Sequence, residues 1–294
     1  MVGRVSRSRY QEDRILPGPR LESVLQADTE LDRQVKSGIT YCLVWLMATL
    51  GKEGASQTSV LNLLPLQYVQ DVSSALSRVS SGIRESSRLT RQVAQPPPET
   101  WLTEIGITEN EFVQQSLDAL TVVLYSLLDR CLHLTNIILG CGLTPRRVTY
   151  IRLSDVIKSN HSVVATALSD LKTAVYPLAD PRHFFVHRGK HRESPLSNAE
   201  LFSQIQKHFP ALVDATKIDY ATARTDIIAL TQKDFETVSA CVRKVKDLLL
   251  QPYMSKLNAL GGIPELAKHD RLRARDIMNW AETGTEPPWS DESR

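Results

Sequence analysis

The residues best suited to chemistry in this chain fall in one run, Ala179-Asp180-Pro181-Arg182-His183-Phe184-Phe185-Val186-His187-Arg188-Gly189-Lys190-His191-Arg192. It holds three of the seven histidines. A histidine can take or give a proton near neutral pH. An arginine presents a planar, permanently charged fork that suits phosphate oxygens. Arg182 and His187, held at a fixed distance on one rigid element, have the means to bind and cleave a phosphodiester. The same residues also fit an ordinary surface, with Arg182 paired to Asp170 or Asp180 and His187 a satisfied interface histidine.

The element that must position them is a helix. Asp180 can cap free backbone N–H groups, and Pro181 fits the first helical position, where its missing N–H would have had no partner. Arg182 then lies in the first turn, where the helix dipole favours an anion. Before it, residues 154–178 predict a helix with Val156, Val164, Leu168, Leu171, Val175 and Leu178 inward. After it come a polar loop at 189–196 and a short helix over 197–209.

The rest of the chain also reads as helices. A first long helix is expected from Asp28, with Leu31, Val35, Ile39, Cys42, Leu46 and Leu50 on one face. Gly51 and Gly54 close it. A second covers 59–93 with Val69, Val72, Leu76, Val79 and Ile83 as its apolar stripe, and Pro65 at its start or at a kink. Arg84, Arg88 and Arg91 share another face of it, read as a solvated face or as an RNA contact. The Gln95–Glu99 segment, with three consecutive prolines, ends it. Thr108 and Glu111 make a capping box for a third helix. Its stripe, Val113, Leu117, Leu120, Leu124, Leu127, Cys131, Leu134 and Ile138, steps by four and three, the seam of a bundle helix. Asp118, Asp129, Arg130 and His133 are its polar insertions, and Gly140 stops it. Thr231 with Asp234 predicts the cap of a last long helix, with Phe235, Val238, Val242, Val245 and Leu249 inward and Pro252 as a possible kink. No segment alternates as a sheet strand would. The expected fold is all-α, an antiparallel helical bundle with long helices. The expected organisation is a flexible N-terminal arm over 1–27, a helical domain over 28–260, and a C-terminal helix and polar tail over 261–294.

Composition narrows the functional classes. Among 294 residues, 42% are hydrophobic and 23% charged, the balance of a folded globular chain. The net charge of +2 provides no global field for nucleic acid, so any basic site is local. Cys42, Cys131, Cys141 and Cys241 show no ligand spacing, and read as buried thiols of a reducing cytoplasm. The basic start, Met1 to Tyr10, has no apolar core behind it and does not read as a secretory signal. The apolar run from Ile39 to Leu50 is about half of what a membrane span needs. There is no P-loop, dinucleotide fingerprint, HExxH or GxSxG. No metal site and no cofactor are expected. His161 and His208 read as structural or surface residues.

The segment Arg182-His-Phe-Phe-Val-His187-Arg-Gly resembles the Arg-x4-6-His signature of the HEPN superfamily (higher eukaryotes and prokaryotes nucleotide-binding), whose members are all-α. In that signature the residue after the arginine is polar; here it is His183. The resemblance spans about residues 28–258, and its specific part is these few positions. It implies a metal-independent endoribonuclease of toxin or phage-defence type in a bacterial cytoplasm. In such a reaction the ribose 2′-OH attacks the adjacent phosphate, leaving a 2′,3′-cyclic phosphate and a 5′-OH. His187 would move protons and Arg182 would hold the phosphate, with His183 as a second polar group or as an orienter of Arg182. Arg188, Lys190, His191 and Arg192 would grip RNA backbone or stand solvated. Family members commonly pair two motifs across a dimer, so a homodimer is implied, with an antitoxin or regulatory protein as a possible partner and no membrane. The alternative is a non-catalytic helical dimer that binds nucleotide, RNA or a protein.

Overall fold

The computed structural model describes residues 29–40, 64–179 and 220–260. Within them every regular element is helical: α1 (30–40 as described), α2 (Leu64–Ala94), α3 (Glu99–Glu104), α4 (Glu109–Leu139), α5 (Tyr150–Ile157), α6 (Ser162–Val175) and α7 (Tyr220–Ala259), with 3₁₀ turns at Pro145–Arg147 and Tyr176–Leu178.

The local chemistry explains where these helices begin and end. Thr29 starts α1: its backbone N–H and its hydroxyl donate to Asp32 Oδ2 at 2.8 and 2.6 Å. Pro65 is the second residue of α2 as described. The Thr108/Glu111 capping box at the head of α4 is formed in both directions. Gly140 closes α4 in the left-handed region at φ 64°, a conformation that costs an L-residue with a Cβ.

The α4 seam lies at the centre of the described helices. Val113, Leu120, Leu124, Leu127, Cys131, Leu134 and Ile138 are all buried, with Leu117 half-buried. The stripe of α2 (Val69, Val72, Leu76, Val79) and that of α7 (Phe235, Val238, Val242, Val245, Leu249) meet it in one core. Each aliphatic side chain so buried contributes about 1.5–3 kcal/mol. That outweighs the few tenths available from a surface pair. α4 is also long and apolar enough, by length and composition, to cross a membrane; here its stripe lies against α2 and α7.

Contacts fix the helix directions. Tyr68 donates to Ile138 O, Gly82 lies against Leu127 and Arg130, and Val93 packs on Val113, so α2 runs antiparallel to α4. Ile227 and Ile228 pack beside Val113, and Lys256 reaches Ile137 O at 3.1 Å, so α7 runs parallel to α4. Tyr68 stacks on Tyr253 with ring centroids 5.7 Å apart, which places α7 antiparallel to α2. The all-α bundle expected from the stripes is the fold observed.

Two expectations are corrected. The single helix over 154–178 is two helices. Thr149 caps the first, accepting from Arg152 N–H at 3.5 Å. Lys158-Ser159-Asn160-His161 then breaks the path, where Ser and Asn side chains compete for the backbone. In this arrangement Leu153 and Ile157 face inward, and Val156 is 47% exposed instead of buried. The Thr231/Asp234 cap is also overturned. α7 has begun by Tyr220, and Thr231 is a buried interior residue of it. Ile227 and Ile228 pack on Val93 and Val113, which carries the helix through that region. α7 also includes Pro252.

Candidate functional site

Arg182, His183, His187, Arg188, Lys190, His191 and Arg192 all lie outside the described residues, as do the expected helix over 197–209 and both termini. The element that delivers the chain to them is described. α6 buries Val164, Ala167, Leu168, Leu171 and Val175, and its main neighbour is α7. The 3₁₀ turn Tyr176–Leu178 then carries the chain to Ala179, the residue before Asp180. Asp170, one carboxylate that could have taken Arg182, accepts from Lys244 Nζ at 2.8 Å. That bridge raises the Lys244 pKa above its ordinary value.

The described basic stripe is the outer face of α2. Arg84, Arg88 and Arg91 are exposed. With Gln92 and Gln95 they line a shallow surface depression of about 240 Å³. Glu85 lies beside them and pairs with Arg88 through Nε–Oε2 at 3.2 Å and a second contact from Nη2. The hydrogen bond from Arg88 holds the Glu85 carboxyl below its usual range. Arg84 and Arg91 have no carboxylate partner among the described residues. This face can bind anions, and it contains no group that moves a proton near neutral pH.

A second polar cluster lies inside the bundle. Asp32 of α1 and Lys246 of α7 form an ion pair with 4% and 8% of their side chains exposed. The Asp32 carboxylate also accepts from Thr29 twice and from Ser80 Oγ of α2 at 3.1 Å. Burial pushes the Asp32 carboxyl pKa up, but the hydrogen bonds and charge from Lys246 and Thr29 more than offset this and leave it lowered. The neighbouring Cys131 thiol is pushed up to about 12 by burial, against the opposing charges of Lys246 and Arg130. A thiol held protonated in this way is a packing residue and not a nucleophile. The cluster ties α1, α2 and α7 together, and all its charges are spent on one another. Sequence reasoning missed it; the signal present was Lys246 directly after core Val245, and Asp32 directly after core Leu31.

Among the described residues no three His, Cys, Asp or Glu side chains gather as metal ligands. Comparison with protein-family models, curated proteins and solved structures finds no match for this chain.

Proposed function

We propose that the chain is a metal-independent endoribonuclease of toxin or defence type, with Arg182 and His187 as its reacting pair. The observation that supports this reading is the place of the Arg182–His187 segment in the sequence. It begins three residues beyond Ala179, where α6, which buries one face in the bundle, and its 3₁₀ turn end. A packed helix before the segment is the kind of rigid support that a phosphate-gripping arginine and a proton-moving histidine need. In the proposed reaction His187 takes the proton of the ribose 2′-OH, the 2′-oxygen bonds to phosphorus, and the P–O5′ bond breaks. The departing 5′-oxygen takes up a proton, and Arg182 holds the extra negative charge of the pentacoordinate phosphate. His183 assists as a second polar group, Arg188, Lys190, His191 and Arg192 hold the backbone, and two copies of the chain supply one cleft in the cytoplasm.

The test is incubation of purified protein with RNA in EDTA, beside Arg182→Ala and His187→Ala. Cleavage by the parent to 2′,3′-cyclic ends, with each substitution lowering the rate at least a hundredfold, on the order of a lost acid–base or phosphate contact, is the expected result. Equal cleavage by all three, or none by the parent, refutes it. A second reading, a helical module that binds RNA without cutting it, is favoured by the arginine face of α2, which offers charge for phosphates and nothing that transfers protons.

A further inference from the structure

The stripe Arg84, Arg88, Arg91 sits oddly with stability alone. Arg84–Arg88 and Arg88–Arg91 stand at i,i+4 and i,i+3, where like charges disfavour a helix. Among the described residues only Arg88 has a carboxylate to relieve it. At 3.6 residues per turn, Arg84, Arg88, Arg91 and Gln95 fall within about 60° of arc, with Gln92 about 60° beyond Gln95. Val79, Leu89 and Val93 lie buried on the opposite side of the same helix. The face continues toward the N-terminus through exposed Ser81, Ser77 and Gln70, so it carries no carboxylate over about 37 Å of helix, Glu85 standing at its edge.

From this placement we infer that the outer face of α2 binds the phosphodiester backbone of a single-stranded nucleic acid. The inference rests on nucleic acid being the ligand of this protein, and not on its cleavage. Arg84 and Arg91 are separated by about 10 Å along the axis and offer two exposed guanidinium forks in line, without a carboxylate partner among the described residues. Arg88 lies between them and can exchange Glu85 for a phosphate. Gln92 and Gln95 add amide groups that both donate and accept, suited to sugar hydroxyls and base edges. The shallow depression they line gives the strand a path across the helix.

The face lacks what other anionic partners would require. A folded protein partner needs an apolar or aromatic anchor at the centre of its interface. Stable seating on a lipid surface adds apolar side chains or an acyl chain to the charge. This face presents only Arg, Gln and Ser. Phosphate contacts without aromatic stacking predict binding that is sensitive to salt and indifferent to sequence.

The test uses the full chain carrying His187→Ala, so that RNA stays whole, and fluorescence anisotropy with three labelled single-stranded RNA oligonucleotides of unrelated sequence and one DNA of matched sequence. Adding Arg84→Gln, Arg88→Gln and Arg91→Gln together should lower affinity for all four by about a hundredfold at 0.1 M salt. It should also flatten the slope of log K against log salt by about 2, from about 0.7 per lost single-strand contact. Circular dichroism should show the same helix content. If the triple variant fails to fold, Arg84→Gln and Arg91→Gln made singly should each flatten the slope by about 0.7. Unchanged affinity and slope, loss confined to one sequence, or no binding by the parent overturns the inference. Absent cleavage with Arg84-dependent binding intact removes the nuclease and leaves the inference standing.

Discussion

The buried pair Asp32–Lys246 gives a sharp test of the fold. Breaking a buried ion pair by removing one partner costs about 3–5 kcal/mol, because the other charge stays desolvated and alone. The two ends of this pair are not equivalent. After Lys246→Met the Asp32 carboxylate keeps the Thr29 N–H at 2.8 Å, the Thr29 hydroxyl at 2.6 Å and the Ser80 hydroxyl at 3.1 Å. Its cost should fall at the low end, about 3 kcal/mol. After Asp32→Leu the Lys246 ammonium, on a residue only 6% exposed, loses its carboxylate. The start of α1 also loses its cap, worth about 1 kcal/mol. Asp32→Leu should therefore cost about 5 kcal/mol, a third or more of the stability of an ordinary domain. The double variant Asp32→Leu/Lys246→Met leaves no orphan charge and should be more stable than either single. Urea unfolding followed by circular dichroism, with midpoints and slopes compared, measures all four proteins. Single losses that simply add in the double variant, to within about 0.5 kcal/mol, would mean that the two side chains do not interact, and the reasoning would fail. The acid limb provides a second check. The folded Asp32 pKa is lowered from 3.8, so its stabilisation is complete above that value and is lost as pH falls through the folded value. Asp32→Asn should remove this component of acid unfolding.

Two further outcomes follow from single positions. A Cβ on Gly82 would stand 2.6 Å from Arg130 Nη1 and 2.7 Å from Leu127 Cδ2, both on α4. Gly82→Ala gains about 1 kcal/mol of helix propensity and loses about 1–3 kcal/mol to overpacking. A net loss near 1 kcal/mol in thermal unfolding is expected, and a gain would mean that the helices are not in contact there. Burial raises the Asp234 carboxyl pKa, against a smaller opposing effect of Lys233, so the folded state holds this proton more tightly than the unfolded chain and loses stability as pH rises above 3.8. Asp234→Asn should raise the midpoint of thermal unfolding at pH 7 and leave it unchanged near pH 3; no gain at pH 7 would count against a half-buried carboxylate.

The sequence carried the long-range order of the bundle because its apolar stripes are strict. The four-and-three steps from Val113 to Ile138 admit one buried face, and α2 and α7 show the same regularity, so the core residues of all three were legible. The failures came where local signals compete. Thr231-x-x-Asp234 has the form of a cap, yet Ile227 and Ile228 find an apolar surface at Val93 and Val113, and that burial outweighs the capping preference. Ser159 and Asn160 broke a helix that its apolar residues alone would have continued. Asp32–Lys246 was illegible for a different reason. Its partners are far apart in sequence, and only packing decides whether a charge adjoining a stripe is solvated or buried.

That distinction bears on which charges can serve a ligand. Asp32 and Lys246 are desolvated, so their interaction is strong, and it is exhausted on Thr29, Ser80 and each other. Exposed pairs such as Lys244–Asp170 and Arg88–Glu85 are cheap to separate, since a surface bridge is worth about 0–1 kcal/mol. Arg84 and Arg91 have no bridge to break among the described residues. On the inferred reading, a polyanion meets open positive charge on the α2 face, and removing that charge leaves the core untouched. Stability and RNA binding should then separate cleanly in substitution experiments. Changes at Asp32 or Lys246 should lower the unfolding midpoint, and under conditions where the variant remains folded they should leave the salt dependence of RNA binding intact. Changes at Arg84 and Arg91 should do the reverse.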